Sequence, residues 1–173
     1  RIRDLHSAAS SLLVCLEGSV RFQVPGDDHW TRAKSILIPA GTRISIENQG
    51  GVISACYLDA TKPDFQVLRR RMASITSGVY YNLVDENLFA ENLIRLRDDA
   101  PDFTEAQRRM EALIHDGSNA SMATTDPRIT YVIERLRDTA SLNISVSALA
   151  SEVGLSESGL IRLFSLHVGT PLR

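Results

Sequence analysis

Residues Leu149–Phe164, "LASEVGLSESGLIRLF", predict two short helices joined by a tight corner. Gly154 stands at the corner, where helices commonly end in a left-handed turn. Ser156 follows as the expected cap of the second helix, and Glu157 in the first turn of that helix suits the helix dipole. A helix, a turn containing glycine and a second helix are typical of the helix-turn-helix motif.

Apolar side chains recur at helical spacing on both sides of the corner, which predicts a shared core. Ser145 is expected to cap the first helix, and Asp126 with Pro127 starts an earlier helix that ends near Arg137. Leu155 is expected to fill the space between the two later helices. The side chains predicted to be buried are, helix by helix, Ile129, Val132, Ile133 and Leu136; Val146, Leu149, Ala150 and Val153; and Leu160, Leu163, Phe164 and His167.

The other face of the second helix carries Ser158, Ile161, Arg162 and Ser165 at the spacing i, i+3, i+4, i+7. An apolar side chain there can contact a thymine methyl group, and an arginine can reach guanine O6 and N7. Ser156 and the free N–H groups at the helix start suit a phosphate. The stripe therefore predicts a DNA-reading helix, and a helical hairpin with one exposed isoleucine is the alternative.

Residues 144–173 resemble the first of the two helix-turn-helix units of the AraC/XylS family of bacterial transcription regulators. The resemblance implies that the second helix enters the major groove, with Ser158, Ile161 and Arg162 at base-contacting positions. It also implies a second such unit after Arg173, so the chain is expected to be a fragment. The matching features are Leu149-Ala150, Gly154-Leu155-Ser156, Leu160-x-Arg162-x-Phe164 and Gly169-Thr170-Pro171.

Between residues 10 and 58 the apolar side chains alternate with the period of a β-strand. Glycine- and proline-containing turns separate the runs, which predicts an antiparallel sandwich or barrel. Ile53, Ala55 and Tyr57, for example, are expected to share one face. The runs "LLVCLEGSVRFQV" and "ILIPAGTRISI" resemble hairpins of the cupin-like sensing barrel of the AraC/XylS family, which implies a small-molecule effector.

From Asp64 to His115 the apolar spacing is that of helices. Thr104 to Gln107 is interpreted as a capping box at the start of one helix. One helix is expected to face a second copy of the chain, which would give a homodimer. The first two helices are predicted to bury Phe65, Leu68, Met72 and Ile75, and then Leu88, Phe89, Leu93 and Leu96.

The predicted fold class is α+β: a cupin-like antiparallel β-barrel of jelly-roll type with amphipathic helices, followed by an all-α helix-turn-helix unit. The sensing and dimerisation domain is expected to span 1–115. Residues 116–125, "DGSNASMATT", are small and polar and predict a linker. Residues 126–173 would be a partial DNA-binding domain.

Metal-binding cupins use a His-x-His pair, a Glu and a further His, a set that suits iron, manganese or nickel. On that spacing His6 matches one position, whereas Asp4, Ser11 and Ile44 occupy the other three. No catalytic residue, metal or cofactor is therefore expected. A metal-free or weakly metallated cupin enzyme, such as an isomerase, stays open as an alternative, and so does a protein-interaction module that docks a partner helix at Ile161.

A barrel interior of this size suits a small ligand. Arg32, Lys34 and Arg43 lie on neighbouring predicted strands and would favour an anionic effector, although solvated strand faces explain them equally well. His6 is a candidate at the pocket rim or a packing residue. These four residues are the predicted effector site.

Composition excludes some classes of partner. The net charge of −2 predicts no strong general attraction to nucleic acid or acidic lipid, and no apolar run approaches the roughly 20 residues that span a membrane. Two cysteines, Cys15 and Cys56, are too few for a disulfide scaffold and suit a reduced cytoplasm.

From Asp116 onward the sequence contains five basic residues and six acidic ones, so this section alone should bind double-stranded DNA weakly. Dimerisation and a second unit would supply the remaining affinity. RNA polymerase is a further candidate partner.

Overall fold

The computed structural model describes residues 2–115, 126–138, 144–168 and 172. The predicted linker at 116–125 and the predicted Gly169-Thr170-Pro171 exit lie outside the described residues. The strands are β1 Ile2–His6, β2 Ser11–Cys15, β3 Val20–Gln23, β4 Thr31–Ala33, β5 Ser35–Ile38, β6 Arg43–Asn48, β7 Ile53–Tyr57, β8 Met72–Thr76 and β9 Val79–Leu83. The helices are α1 Asp64–Arg71, α2 Glu86–Asp99, α3 Phe103–His115, α4 Pro127–Asp138, α5 Val146–Glu152 and α6 Glu157–Val168.

The described strands form two antiparallel sheets, ordered β1-β6-β3-β4 and β7-β2-β5-β9-β8. The fold is therefore α+β, as the sequence predicts, but these strands do not close into one barrel. Four strands, β1, β4, β7 and β8, are sheet edges, which a closed barrel would not leave.

The five-stranded sheet is covered on both sides. Its central strand β5 places Ile36 and Ile38 against the four-stranded sheet and Leu37 against the helices. Phe22, from the four-stranded sheet, is fully buried between the two sheets. Phe89, from α2, is fully buried between the five-stranded sheet and the helices. This arrangement gives a sandwich with helices packed on its outer face.

The alternation predicted for the strands is confirmed, but at β7 the face shared by Ile53, Ala55 and Tyr57 is buried only at its start, where Ile53 packs on the core between the sheets. There Cys56 packs on the helix-side core, whereas Ala55 is exposed and Tyr57 is 78% exposed. β7 pairs with β2 alone and so lies at the sheet edge, where the covering layer is incomplete.

The helix predicted to bury Met72 and Ile75 ends earlier than expected, at Arg71. Met72 begins β8, which pairs with β9 in a hairpin that the sequence analysis missed. Ser77 and Gly78 form its turn with φ of 45° and 81°, the positive pair that a two-residue hairpin turn requires.

Two details of α2 and α3 also differ from expectation. Leu88, predicted to be buried, is 56% exposed, while Phe89 and Leu93 lie in the core. The capping box at Thr104 is wrong, because the carboxylate of Asp102 accepts the N–H of Glu105 at 2.9 Å and α3 begins at Phe103.

The last three helices surround a third core, and the caps and the corner predicted for them are confirmed. His167, predicted to be buried, is only half-buried, and Val168 packs in the core instead. The Ser145 hydroxyl accepts the Ala148 N–H at 3.2 Å, and Gly154 has φ of 67°. Leu149 and Leu160 are almost completely buried in this core. None of the described helices is both long enough and apolar enough to cross a membrane.

Candidate functional site

The corner between α5 and α6 is fixed by backbone hydrogen bonds. The N–H groups of Gly154 and Leu155 donate to the carbonyls of Ser151 and Ala150 at 3.2 and 2.9 Å, which closes the end of α5. The side chain of Leu155 then packs on the shared core. Because both helices bury apolar side chains in that core, the opposite face of α6 is held outward.

The predicted DNA-reading stripe lies on that outer face. Ser158 and Arg162 are exposed, and Ile161 and Ser165 are half-buried. Ile161 is therefore less open to solvent than predicted. Leu166, one turn after Arg162 and 47% exposed, extends the stripe; its i+4 spacing from Arg162 could have revealed it.

Arg162 is distinct in its electrostatic surroundings. Within residues 126–138 and 144–168 it has no carboxylate partner among the described residues, so its guanidinium is available to an external acceptor. The other arginines in these ranges pair as Arg128 with Asp126, Arg135 with Glu152 and Arg137 with Asp59.

Ser156 serves as the cap of α6, as predicted. Its hydroxyl accepts the Gly159 N–H at 3.1 Å and lies 3.4 Å from the Ser158 hydroxyl. Both serines are exposed at the helix start, next to the positive end of the helix dipole. A phosphate contact at this end stays a prediction.

The structure does not bring the four predicted effector residues together. His6 and Arg43 are exposed and oppose each other across β1 and β6. Arg32 is exposed on β4, and its Nε donates to the Ser19 hydroxyl at 2.8 Å. Lys34 instead lines a cavity of about 520 Å³ beside Cys15 and the start of α2.

Arg32 and Arg43, in the four-stranded sheet, lie on solvated strand faces, as the alternative interpretation holds for these two. Val20, Ala33 and Ile44 point into the core between the sheets, so Arg32 and Arg43 on the alternate positions point outward. The positions of Arg32 and Arg43 therefore do not support a site for an anionic effector inside the sandwich.

A second cavity of about 520 Å³ lies between β7, α2 and α3, and the sequence analysis missed it. Its wall is mainly apolar and includes Leu93, Leu96 and Met110. Acidic side chains stand at its rim. No local signal could have revealed it, because its walls come from segments far apart in the sequence.

The two thiols offer little nucleophilic chemistry. Cys15 and Cys56 are both free, and burial raises the pKa of each thiol, so the neutral form dominates at neutral pH. Among the residues that the structure describes, no three His, Cys, Asp or Glu side chains converge to hold a metal ion.

The chain has the fold of an AraC-type regulator. It resembles the crystal structure of CuxR, an AraC-like transcriptional activator, with a TM-score of 0.50 and 13% sequence identity over 94% of this chain. The match spans 63% of CuxR. No protein-family model matches the chain, and no curated protein matches it.

Weaker likenesses involve ToxT from Vibrio cholerae. Its structure in strain O395 gives a TM-score of 0.34 and 9% identity, over 98% of this chain and 89% of ToxT. ToxT with bound unsaturated fatty acid, from strain SCE256, gives 0.30 and 9%, over 98% and 87%. Likenesses at these scores add nothing to the fold assignment.

Proposed function

We propose that the chain is part of an effector-responsive transcription regulator whose α6 helix reads DNA in the major groove. The observation that carries the proposal is the exposed guanidinium of Arg162, which has no carboxylate partner among the described residues, on the second helix of a helix-turn-helix. The same face of α6 carries Ser158, Ile161 and Ser165. Ser156 caps the start of the helix, where a DNA phosphate is proposed to bind.

The proposed organisation keeps the division made from the sequence: sensing and dimerisation over 1–115, a linker over 116–125 and a partial DNA-binding domain over 126–173. The two packed sheets correspond in this proposal to an opened form of the cupin-like jelly roll. The AraC-type fold supports this division, since it combines a β-rich domain with helix-turn-helix units.

Dimerisation is proposed to use the outward side of α2. Leu88 on α2 and Val84, two residues before the helix begins, are large apolar side chains that stay exposed, and apolar patches of this kind mark interaction surfaces. RNA polymerase and double-stranded DNA are the further proposed partners, and the cytoplasm is the proposed location. No enzymatic role is proposed.

The test is Arg162→Ala in the full-length protein, with operator fragments first selected from genomic DNA. We expect specific binding to weaken by about 1–3 kcal/mol, because a bidentate arginine–guanine contact is lost. Fluorescence anisotropy at two salt concentrations measures it, since loss of a base contact leaves the salt slope almost unchanged whereas loss of a phosphate contact lowers it.

Arg128→Ala is the matched control, because Arg128 is exposed on the same unit but is already paired with Asp126. It should leave operator affinity almost unchanged. Unaltered operator affinity in a correctly folded Arg162→Ala variant would refute the base-contact role.

A further inference from the structure

The cavity between β7, α2 and α3 has the size of a small-molecule site. Its volume of about 520 Å³ falls within the range of ligand pockets in proteins, roughly 300–1,000 Å³. It lies outside the sandwich, between the edge strand β7 and the helices, and so differs from a site in a barrel interior. None of the predicted effector residues lines it.

The wall of this cavity suits an apolar body. Leu93 and Ile114 close its base as part of the buried core, while Leu96 and Met110 are partly exposed to it. Cys56 adds a neutral thiol, since burial raises its pKa. A ligand seated here would remove this apolar surface from water, at about 25 cal/mol for each Å².

One exposed aromatic ring lies at the mouth. Phe103, the first residue of α3, is 82% exposed. Large aromatic side chains at this level of exposure add nothing to the core, but their faces attract a cation at about 6 Å from the ring centre.

Carboxylates outnumber lysine and arginine side chains at the rim. Three carboxylates, from Asp59, Asp64 and Glu111, line the cavity together with one ammonium group, from Lys62. Each carboxylate also has a basic neighbour: Lys62 pairs with Glu111, Arg137 lies 3.9 Å from Asp59, and His115 lies 2.9 Å from Asp64, so the excess of negative charge is small. Hydrogen bonds from Thr61 lower the pKa of Asp59, and the Lys62 ammonium lowers that of Glu111, so both are ionised at neutral pH.

We propose that this cavity binds a small organic cation: an amine with an aromatic or aliphatic body that fits against Leu96 and Met110 and a charged head at the acidic rim. An organic anion of the same shape would meet the carboxylates of Asp59 and Glu111 and is disfavoured. A second copy of the chain is also a poor occupant, because a symmetric contact through this groove would bring two acidic rims together. The proposal stands independently of DNA binding.

The experiment uses the 173-residue chain and three probes. Tryptamine carries an aromatic body and an ammonium group, indole-3-propionate has a similar body with a carboxylate, and spermidine is a cation without an aromatic body. Titrations followed by amide chemical shifts should show saturable changes with tryptamine at Leu93, Leu96 and Met110. The other two probes should bind at least tenfold more weakly.

Variants test separately the contribution of the carboxylates and that of the exposed aromatic ring to binding. The double variant Asp59→Asn, Glu111→Gln keeps the polar shape and removes two charges, and should weaken tryptamine binding at least tenfold. Phe103→Ala removes an exposed ring and should weaken it about threefold without affecting folding. Glu134→Gln, which removes an exposed acid on α4, is the control and should leave tryptamine binding unchanged.

The outcomes decide the proposal in either direction. Equal binding of indole-3-propionate, wild-type affinity in the double variant, or the absence of saturable shifts at the cavity would overturn it. Sedimentation of the free chain adds a further test: self-association that Phe103→Ala abolishes would assign the groove to a second copy instead.

Discussion

At the scale of single residues, Arg71 joins several parts of the helical layer. Its Nη1 donates to the carbonyls of Leu113 and Ile114 at 3.0 and 2.5 Å, near the end of α3. Its Nη2 forms an ion pair with Asp85, just before α2. The guanidinium also lies 5.6 Å from the ring centre of Phe89. One side chain, 12% exposed, therefore holds the ends of three helices.

We expect Arg71→Ala to lower the free energy of unfolding by about 2–3 kcal/mol, because two helix-end carbonyls and a partly buried carboxylate lose their donors. The second oxygen of Asp85 is buried and has no hydrogen-bond partner among the described residues, so the carboxylate cannot compensate easily. Urea unfolding followed by the fluorescence of Trp30, the only tryptophan of the chain, measures the change.

Arg108→Ala is the control for this prediction. Arg108 also pairs with a carboxylate, that of Glu105, but its side chain is exposed to solvent. Exposed ion pairs contribute little, so the free energy of unfolding should change by less than about 0.5 kcal/mol. Equal effects of the two substitutions would contradict a special role of Arg71.

At the scale of elements, the start of α4 depends on Asp126. Its carboxylate accepts the backbone N–H of Arg128 at 3.0 Å and also pairs with the guanidinium of that residue. These hydrogen bonds from Arg128 lower the pKa of Asp126 from 3.8 to about 2. The cap and the ion pair both favour the ionised form.

We expect the carboxyl carbon of Asp126 to titrate with a midpoint of about 2 in an NMR pH series. Because the pKa of the folded state is the lower one, ionised Asp126 stabilises the fold above about pH 4, and this contribution is lost as the pH falls toward 2. Arg128→Ala should move the midpoint back toward 3.8. A wild-type midpoint near 4 would show that the pair does not persist in solution.

Local signals explain why the helix-turn-helix could be predicted from the sequence. Ser145, Gly154 and Ser156 act on their own helix ends, and each sits within a few residues of the groups that it satisfies. The outward position of Arg162 follows from the same periodicity that buries Leu160.

The β8–β9 hairpin could not be predicted in this way. Met72 and Ile75 continue the helical spacing of Phe65 and Leu68, so the apolar pattern favours one longer helix. The extended form depends instead on pairing of β8 with β9, and β9 in turn pairs with β5, where Leu37 opposes Tyr80, a partner more than forty positions away. The cavity at β7 is non-local for the same reason.

At the scale of the whole molecule, described contacts join the sheet domain to α6. The buried hydroxyl of Ser10 accepts the Ala40 N–H at 3.1 Å and lies 3.4 Å from the Val168 carbonyl, to which it donates. Gln66 on α1 donates to the carbonyl of Leu166. The last turn of α6 is therefore attached to the domain that would sense the effector.

We expect Ser10→Ala to speed hydrogen exchange at the end of α6 about fivefold, since about 1 kcal/mol of hydrogen bonding to that turn is lost. Exchange measured by NMR, residue by residue, resolves the last turn from the rest of the helix.

Ser7→Ala is the matched control. Ser7 is equally buried, but its hydroxyl donates to the nearby Ala9 carbonyl at 2.6 Å. It should alter exchange in its own loop and leave α6 as it was. Unchanged exchange at Val168 in Ser10→Ala would show that the Ser10 contact does not hold the helix.

The position of β5 has a mechanical consequence. Because neighbours press on this strand from both sides, it has no free surface into which it can relax. Close-packed interiors transmit strain. A ligand inserted between the sheet and α3 would therefore displace Ile36 and Ile38 on the other face of β5. A change of volume in the core on the helix side of β5 would therefore alter the packing of the core between the two sheets.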